Sequence, residues 1–438
     1  MRKFKITAAL LIAVITGMWF HAEAHLLPYD NFFQWRAAFV QYSGMIAVTL
    51  MSLTMLLALR LPLIEQFTHG LDKSYRLHKW TGIAAVSTGA VHWLIAIVPK
   101  YLVGAGLLER PIKGGGPNNP DSFYALIKPL RGLAEQLGEL AFYTLVVLSI
   151  VAVVGLIRYK GFKLSHKLMS VAFLVIAFHS AILIKHSYWP YPITYFCLTL
   201  IAAGSLAAVY SLLGRIGKSK HYLAKVASFN FSAQNKVVDL QLNVPRWRGH
   251  HSGQFAFVQF PGEEPHPFTI ASAYSESGNM RFMIKELGDF TSTLKNTLSI
   301  GQAVKVEGPY GCFNFSDPDP QLWLAGGIGI AAFKAILEER QSSMNNVKTD
   351  LYYCTDTPDE LLIDELQQQA VNANVTLTIV DKQEPLLCVE TLQQQINYLL
   401  TRKIWFCGPV QFSAAIKRDL SKQGYNLAHY HEELFEMR

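Results

Sequence analysis

Four histidines stand inside or at the edge of long uncharged stretches. His78 and His92 are fourteen residues apart, and His166 and His179 are thirteen apart. An ionisable side chain within such a stretch is costly and marks a function. One histidine alone could be a packing donor between helices. Two pairs at nearly equal spacing, on two segments, point instead to a shared ligand set. At about 1.5 Å rise per residue, the members of a pair stand roughly 20 Å apart along a helix. That is too far for both to hold one zinc ion. It leaves room for two stacked haems, each clamped by one histidine from each segment: His78 with His166, and His92 with His179. The local sequences Leu77-His78-Lys79 and Ser165-His166-Lys167 also match. Fourteen residues return within about 40° of the starting face, but thirteen do not, so the second segment requires a tilt or a π-bulge. His186, seven residues past His179, competes as the outer ligand. Four packing histidines remain the plain alternative.

The segments that position these residues are membrane spans. Of 438 residues, 51% are hydrophobic and only 16% charged, and the apolar runs are confined to the part before about Gly214. A spanning helix needs roughly 20 apolar residues. Candidates run over about 6–20, 37–59, 80–98, 140–157, 168–184 and 191–214. Basic residues alternate between their connections. Arg2, Lys3 and Lys5 precede the first span, and Arg60, Lys73, Arg76 and Lys79 follow the second. Arg158, Lys160, Lys163 and Lys167 follow the fourth, and Arg215, Lys218 and Lys220 follow the sixth. This pattern places both termini in the cytoplasm and the Gly/Pro-rich loop around Gly114–Pro120 outside. The first span is expected to be retained as a helix, although Ala22-Glu23-Ala24 also reads as a secretory cleavage site. The lipid bilayer, of a bacterial cytoplasmic membrane, accounts for the net charge of +7, and no nucleic-acid partner is implied.

In this membrane half, Gly70-Leu71-Asp72-Lys73-Ser74-Tyr75-Arg76-Leu77-His78-Lys79 and the histidine spacing resemble the ferric reductase and NADPH oxidase transmembrane domain. The resemblance implies that His78, His92, His166 and His179 ligate two b-type haems.

After Lys218 the chain reads as a soluble α/β protein. Short strand-like runs at Tyr222–Phe229, Val237–Val244, Phe255–Phe260, Met280–Glu286 and Ala303–Glu307 are punctuated by Gly and Pro, as in a small antiparallel barrel. The segments His266-Pro267-Phe268-Thr269-Ile270-Ala271-Ser272 and Ile284 to Thr291 are similar to the flavin-binding segments of ferredoxin-reductase-like domains. The likeness implies FAD, with Thr269 bonding the ring and Phe268 lying against it. Gly288 and Thr291 would hold the pyrophosphate at a helix start. Gly308-Pro309-Tyr310-Gly311-Cys312-Phe313 then closes the barrel.

A buried strand, Leu322 to Ala325, runs into Gly326, Gly327 and Gly329 and then a helix, the pattern of a dinucleotide site. Strands follow at Asp350–Tyr353, Thr376–Val380 and Lys403–Phe406, the last entering Cys407-Gly408-Pro409. The family resemblance implies that Cys407 sits beside the nicotinamide and that Phe435 shields the flavin. The family's usual Thr-Pro at the helix start is Ala331-Ala332 here. Cys197, Cys312, Cys354, Cys388 and Cys407 show neither CxxC nor zinc spacing and read as reduced.

The expected fold is a multi-domain membrane protein: a six-helix transmembrane bundle over 1–214, an antiparallel β-barrel FAD domain over 221–318, and an α/β parallel-sheet nucleotide-binding domain over 319–438. The resemblance implies an oxidoreductase that moves electrons from NADH or NADPH through FAD and two haem b groups to an acceptor across the membrane. Ferric iron (as a chelate), oxygen and a periplasmic redox protein are all open as acceptors. A non-enzymatic membrane sensor that binds nucleotide is the alternative from another class. Asp356, just beyond the second nucleotide-domain strand, favours NADH, since a carboxylate there repels a 2′-phosphate; it also reads as a plain turn residue before Pro358.

Overall fold

The computed structural model describes residues 2–109, 123–154, 159–342, 347–383 and 387–433. The Gly114–Pro120 loop, Arg158 and Phe435 lie outside the described residues. The chain divides into two compact units, Met1–Leu61 with Tyr75–Ile216 and Pro62–Ser74 with Gly217–Arg438.

The first unit is helical. Its long helices are α1 (Arg2–Glu23) and α2 (Phe32–Leu57); the short α3 (Pro62–Thr68) belongs to the second unit. Then come α4 (Leu71–Gly104), the short α5 (Phe123–Ile127), α6 (Arg131–Val154), α7 (Tyr159–Leu183) and α8 (Pro192–Leu212). Six of these helices are long and apolar enough to cross a membrane, so the chain is a multi-pass integral membrane protein. Asn31 starts α2 by accepting from the Gln34 N–H at 3.1 Å, a side-chain cap that satisfies an otherwise orphan donor. Pro192 starts α8, where its missing N–H costs nothing. Lipid supplies no drive for apolar helices to associate, so close approach must come from small residues. Gly204 of α8 provides it: a Cβ there would lie 2.7 Å from Phe173 of α7 and 3.0 Å from Ser52 of α2. Helix α4 begins at Leu71, nine residues before the expected span, which puts His78 inside it. Helix α7 likewise begins ahead of His166 and is unbroken α-helix from Tyr159 to Leu183, without the π-bulge that the spacing suggested.

In the second unit, β1 (His221–Ser232), β2 (Val237–Asn243), β3 (Phe255–Gln259), β4 (His266–Thr269), β5 (Asn279–Lys285) and β6 (Ala303–Tyr310) form one antiparallel sheet. Its order is β4-β3-β6-β1-β2-β5, and a bridge between Ile270 and Phe282 joins the two edges. That closure makes it a barrel and removes exposed edges. Val226, Leu240, Val258, Phe282, Ile284 and Val306 fill it, and α9 (Asp289–Thr297) packs Leu294 into the same core.

A parallel sheet follows. Its members are β7 (Gln321–Gly326), α10 (Ile330–Gln341), β8 (Thr349–Thr355), α11 (Glu360–Asn372), β9 (Val375–Asp381), α12 (Val389–Gln395), β10 (Lys403–Cys407), α13 (Val410–Lys422) and β11 (Tyr430–Glu433). The order β11-β10-β7-β8-β9 reverses direction between β7 and β10, and such a switch point opens the crevice where nucleotides bind. Strand β11 was absent from the expected set, because its four polar and aromatic residues carry no apolar alternation. The segment Pro62–Ser74 groups with this unit rather than with the bundle: the Glu65 carboxylate accepts the Gly311 N–H at 2.6 Å.

Candidate functional site

The bundle brings its histidines together in two pairs. The His78 and His166 rings have centroids 5.8 Å apart, and those of His92 and His179 are 6.4 Å apart. Two metal–nitrogen bonds of about 2 Å, plus two imidazole half-widths of about 1 Å, span roughly 6 Å. Each pair therefore has the separation that one metal atom between two imidazoles needs.

Ring orientation agrees. Nδ1 of His78 lies 2.9 Å from the Thr54 carbonyl, Nδ1 of His92 lies 3.0 Å from that of Val40, and Nδ1 of His179 lies 2.8 Å from that of Ala134. A carbonyl oxygen only accepts, so Nδ1 carries the proton in all three rings. Nε2 is then left with its lone pair, the state a metal requires. Helices α2 and α6 thus orient rings that α4 and α7 supply.

Room for the rings comes from glycine. A Cβ on Gly138 of α6 would fall 2.0 Å from His179 Nδ1, and one on Gly44 of α2 would fall 3.1 Å from the His92 ring. This resolves the thirteen-residue spacing. His179 reaches over the bare backbone of α6, so no distortion of α7 is needed. His186 is not brought to His92; it sits in a 3-10 turn beyond α7 with its ring 4.8 Å from that of Tyr124. A cavity of about 400 Å³ lies between α2 and α4, with Ser43, Ile46, Ser87 and Val91 in its wall. The Ser43 hydroxyl is also 3.2 Å from His92 Nδ1. The two donor sets fit two haems, one between each pair.

In the second unit, β4 presents His266, Pro267 and Phe268 half-buried and Thr269 buried. The His266 ring stacks on Phe290 of α9 at 4.3 Å, which ties the two flavin-like segments to each other. Thr291 accepts the Leu287 and Gly288 N–H groups at 2.9 and 3.1 Å, holding the turn before α9. Gly288, Asp289 and Ser292 at the start of α9 are exposed, so the N–H groups of this turn are open to a phosphate.

The nucleotide loop is fitted to the second glycine loop at backbone clearance. A Cβ on Gly326 would lie 2.7 Å from the Pro409 ring, one on Gly408 would lie 2.9 Å from the Gly326 Cα, and one on Gly329 would lie 2.1 Å from the Cys407 carbonyl. Gly327 adopts φ +54, a left-handed conformation that favours glycine. Ala331 and Ala332 are buried in α10. Cys407 is fully buried, and burial, with Glu433 second, pushes its thiol well above the ordinary value. It is therefore a neutral thiol and not a thiolate nucleophile.

Sequence reasoning missed the polar joint between barrel and nucleotide sheet. Arg281 of β5 bonds Glu365 of α11 at 2.7 Å, and Lys334 of α10 bonds the same carboxylate at 2.6 Å. Burial alone would raise the Glu365 pKa, but the two cations hold it below the ordinary value. The two halves of a flavin–nucleotide crevice are thereby held in register.

Residues 43–177 match the family model of the ferric reductase like transmembrane component, and residues 222–314 match that of an FAD-binding domain. The chain joins a ferric reductase transmembrane component to an FAD-binding domain. It is 31% identical over 120 residues to the reductase component of propane 2-monooxygenase of Rhodococcus jostii, covering 26% of this chain and 32% of that one. It is 28% identical over 196 residues to the electron transfer component of 2-halobenzoate 1,2-dioxygenase of Burkholderia cepacia, covering 42% and 58%. It is 25% identical over 226 residues to respiratory burst oxidase homolog protein E of Arabidopsis thaliana, covering 44% and 23%. The chain thus spans less than two thirds of each of these relatives, whereas the ferric reductase match takes in all of α4, with His78 and His92, and α7 as far as Ala177, with His166 but not His179.

Proposed function

We propose that this protein is an oxidoreductase that carries electrons from NADH or NADPH across a membrane to ferric iron or oxygen on the far side. The observation that carries the reading is the pair of facing histidine couples, each at metal-spanning separation, with Nδ1 of His78, His92 and His179 held by carbonyls. When bound, FAD supplies two-electron exchange with nicotinamide, and the two haems supply one-electron relay through the apolar layer.

The chain's own residues do the placing. Thr269, Gly288 and Thr291 would hold FAD against the barrel. Gly326, Gly327, Gly329, Gly408 and Pro409 would admit the dinucleotide at the switch point, with Cys407 packed behind it. Phe435 is proposed to cover the flavin face. His78 with His166 and His92 with His179 would hold the two haems, one between each pair.

A visible spectrum of the purified protein, before and after NADH or NADPH, tests the reading. A Soret band that shifts on nucleotide addition without oxygen is expected. A protein with no haem absorption, or with haem that neither nucleotide reduces, overturns it.

A further inference from the structure

At the end of α1 the chain builds a second histidine arrangement, unconnected with the four in the bundle. His21 stands in the last turn of α1, and His25, four residues on, stands in the 3-10 turn Ala24–Leu26 that follows it; what brings them to one place is a shared contact. Both are exposed. Both rings meet Tyr191, at the start of α8: His21 edge-on at 5.4 Å and His25 stacked at 5.5 Å. The Tyr191 hydroxyl is 3.2 Å from His25 Nδ1. His21 has no hydrogen bond from either ring nitrogen among the described residues.

The backbone beneath them is fixed. Glu23, between the two histidines, turns the opposite way into the bundle and is 1% exposed. Its carboxylate accepts from Tyr29, Tyr188 and Lys185, the last at 2.9 Å. Anchoring the intervening residue leaves His21 and His25 facing outward at a set position. Alternating basic loops put this end of α1 on the same side as His92 and His179.

We propose that His21, His25 and Tyr191 form a docking site for an oxidised transition-metal ion, ferric or cupric, delivered as a chelate. The inference rests on the function proposed above and names its substrate. Two imidazoles and a phenol suit these ions. Among the described residues no three His, Cys, Asp or Glu side chains converge on a metal site. Three protein donors leave positions for the chelator and let the product depart, as a substrate site must. An aromatic route leads inward. Trp19, two residues before His21, lies 4.7 Å from Tyr42 of α2, and Tyr42 lines the cavity beside the Ser43–His92 contact. The step is a one-electron transfer: the metal ion goes from Fe(III) to Fe(II), or Cu(II) to Cu(I), and the electron would be given up by the haem that His92 and His179 would hold.

The test uses full-length, haem-loaded protein without a polyhistidine tag. Cu²⁺ added to it in detergent should give one tetragonal EPR signal per chain with imidazole nitrogen coupling. The double variant His21→Gln, His25→Gln should keep its Soret spectrum and its NAD(P)H-driven oxygen consumption. It should lose the Cu²⁺ signal and raise KM for ferric citrate at least fivefold. Tyr191→Phe, which keeps the ring packing, should raise that KM with less effect on Cu²⁺. Equal Cu²⁺ binding by wild type and double variant, or an unchanged ferric citrate KM, overturns the proposal. The Cu²⁺ arm needs no electron transfer, so failure of nucleotide to reduce the haem would count against the proposed function alone.

Discussion

Gly138 and His179 compete for one volume: a Cβ on the glycine would stand 2.0 Å from Nδ1 of the imidazole. Both neighbours lie in packed helices, so the ring must give way. Gly138→Ala is expected to bind one haem per chain in place of two, measured by pyridine haemochrome against protein. Gly44→Ala, whose Cβ would clear the His92 ring by 3.1 Å, should keep both haems but shift the outer one's potential. Two full haems in Gly138→Ala would show that His179 is not held where the structure has it.

His92→Ala and His179→Ala should each lose the outer haem and stop transfer across the membrane. Reduction of a soluble dye by NAD(P)H should be unchanged, because that needs only the second unit. His186→Ala should retain both haems, since its ring rests on Tyr124. Haem content in all three variants checks the assignment.

Gly408→Ala should leave FAD bound while dye reduction falls. The added methyl would meet the Gly326 backbone at 2.9 Å and push the two loops of the nucleotide crevice apart. A drop of at least about tenfold in kcat/KM, equivalent to about 1.4 kcal/mol, is expected. Flavin content near wild type together with unchanged kinetics would refute the placement of the nucleotide here.

Glu433 gives a pH signature. Its carboxyl is buried, with Oε2 lacking a partner among the described residues. Burial first, then Asp72, holds it well above the ordinary value of 4.5. A raised pKa means that folding favours the protonated form. The stability tied to that proton is complete below pH 4.5 and is lost as pH rises through the folded value. Glu433→Gln should therefore melt higher than wild type at neutral pH, with the gap closing in acid. Flavin-release melting curves at several pH values will show it.

Nucleotide choice should favour NADH. Asp356, exposed just past β8, would repel a 2′-phosphate, while its neighbours Thr355 and Thr357 line the cleft beside Gly327. Asp356→Arg should gain activity with NADPH. Wild-type kcat/KM at least tenfold higher for NADPH, about 1.4 kcal/mol, would show that the carboxylate does not select.

The spans and histidine couples were legible because hydropathy and helical spacing are properties of contiguous sequence. The glycine loops were legible because nucleotide sites concentrate them locally. What escaped lies in contacts between distant segments. The carbonyls that orient the rings, at Val40, Thr54 and Ala134, could come from any residue type, so no letter marks them. Gly138 and Gly44 carry a signal only as small residues within apolar helices. The thirteen-residue spacing suggested a bulge because a helix considered alone omits its neighbour. Four-residue β11 and the Arg281–Glu365–Lys334 joint likewise exist only once the sheets meet.

The carboxylate of Glu23 has a history as well as a position. Its partners Lys185 and Tyr188 lie 162 and 165 residues further along the chain. At about 5–20 residues per second, roughly ten to thirty seconds of synthesis separate them. During that interval Tyr29, six residues on, is the one of its three partners already made. Insertion of α7 and the turn after it then supplies Lys185 and Tyr188 to the end of α1. An early helix of the bundle is thus fastened by a late one, and a chain stopped before Lys185 would hold the Glu23 carboxylate by Tyr29 alone.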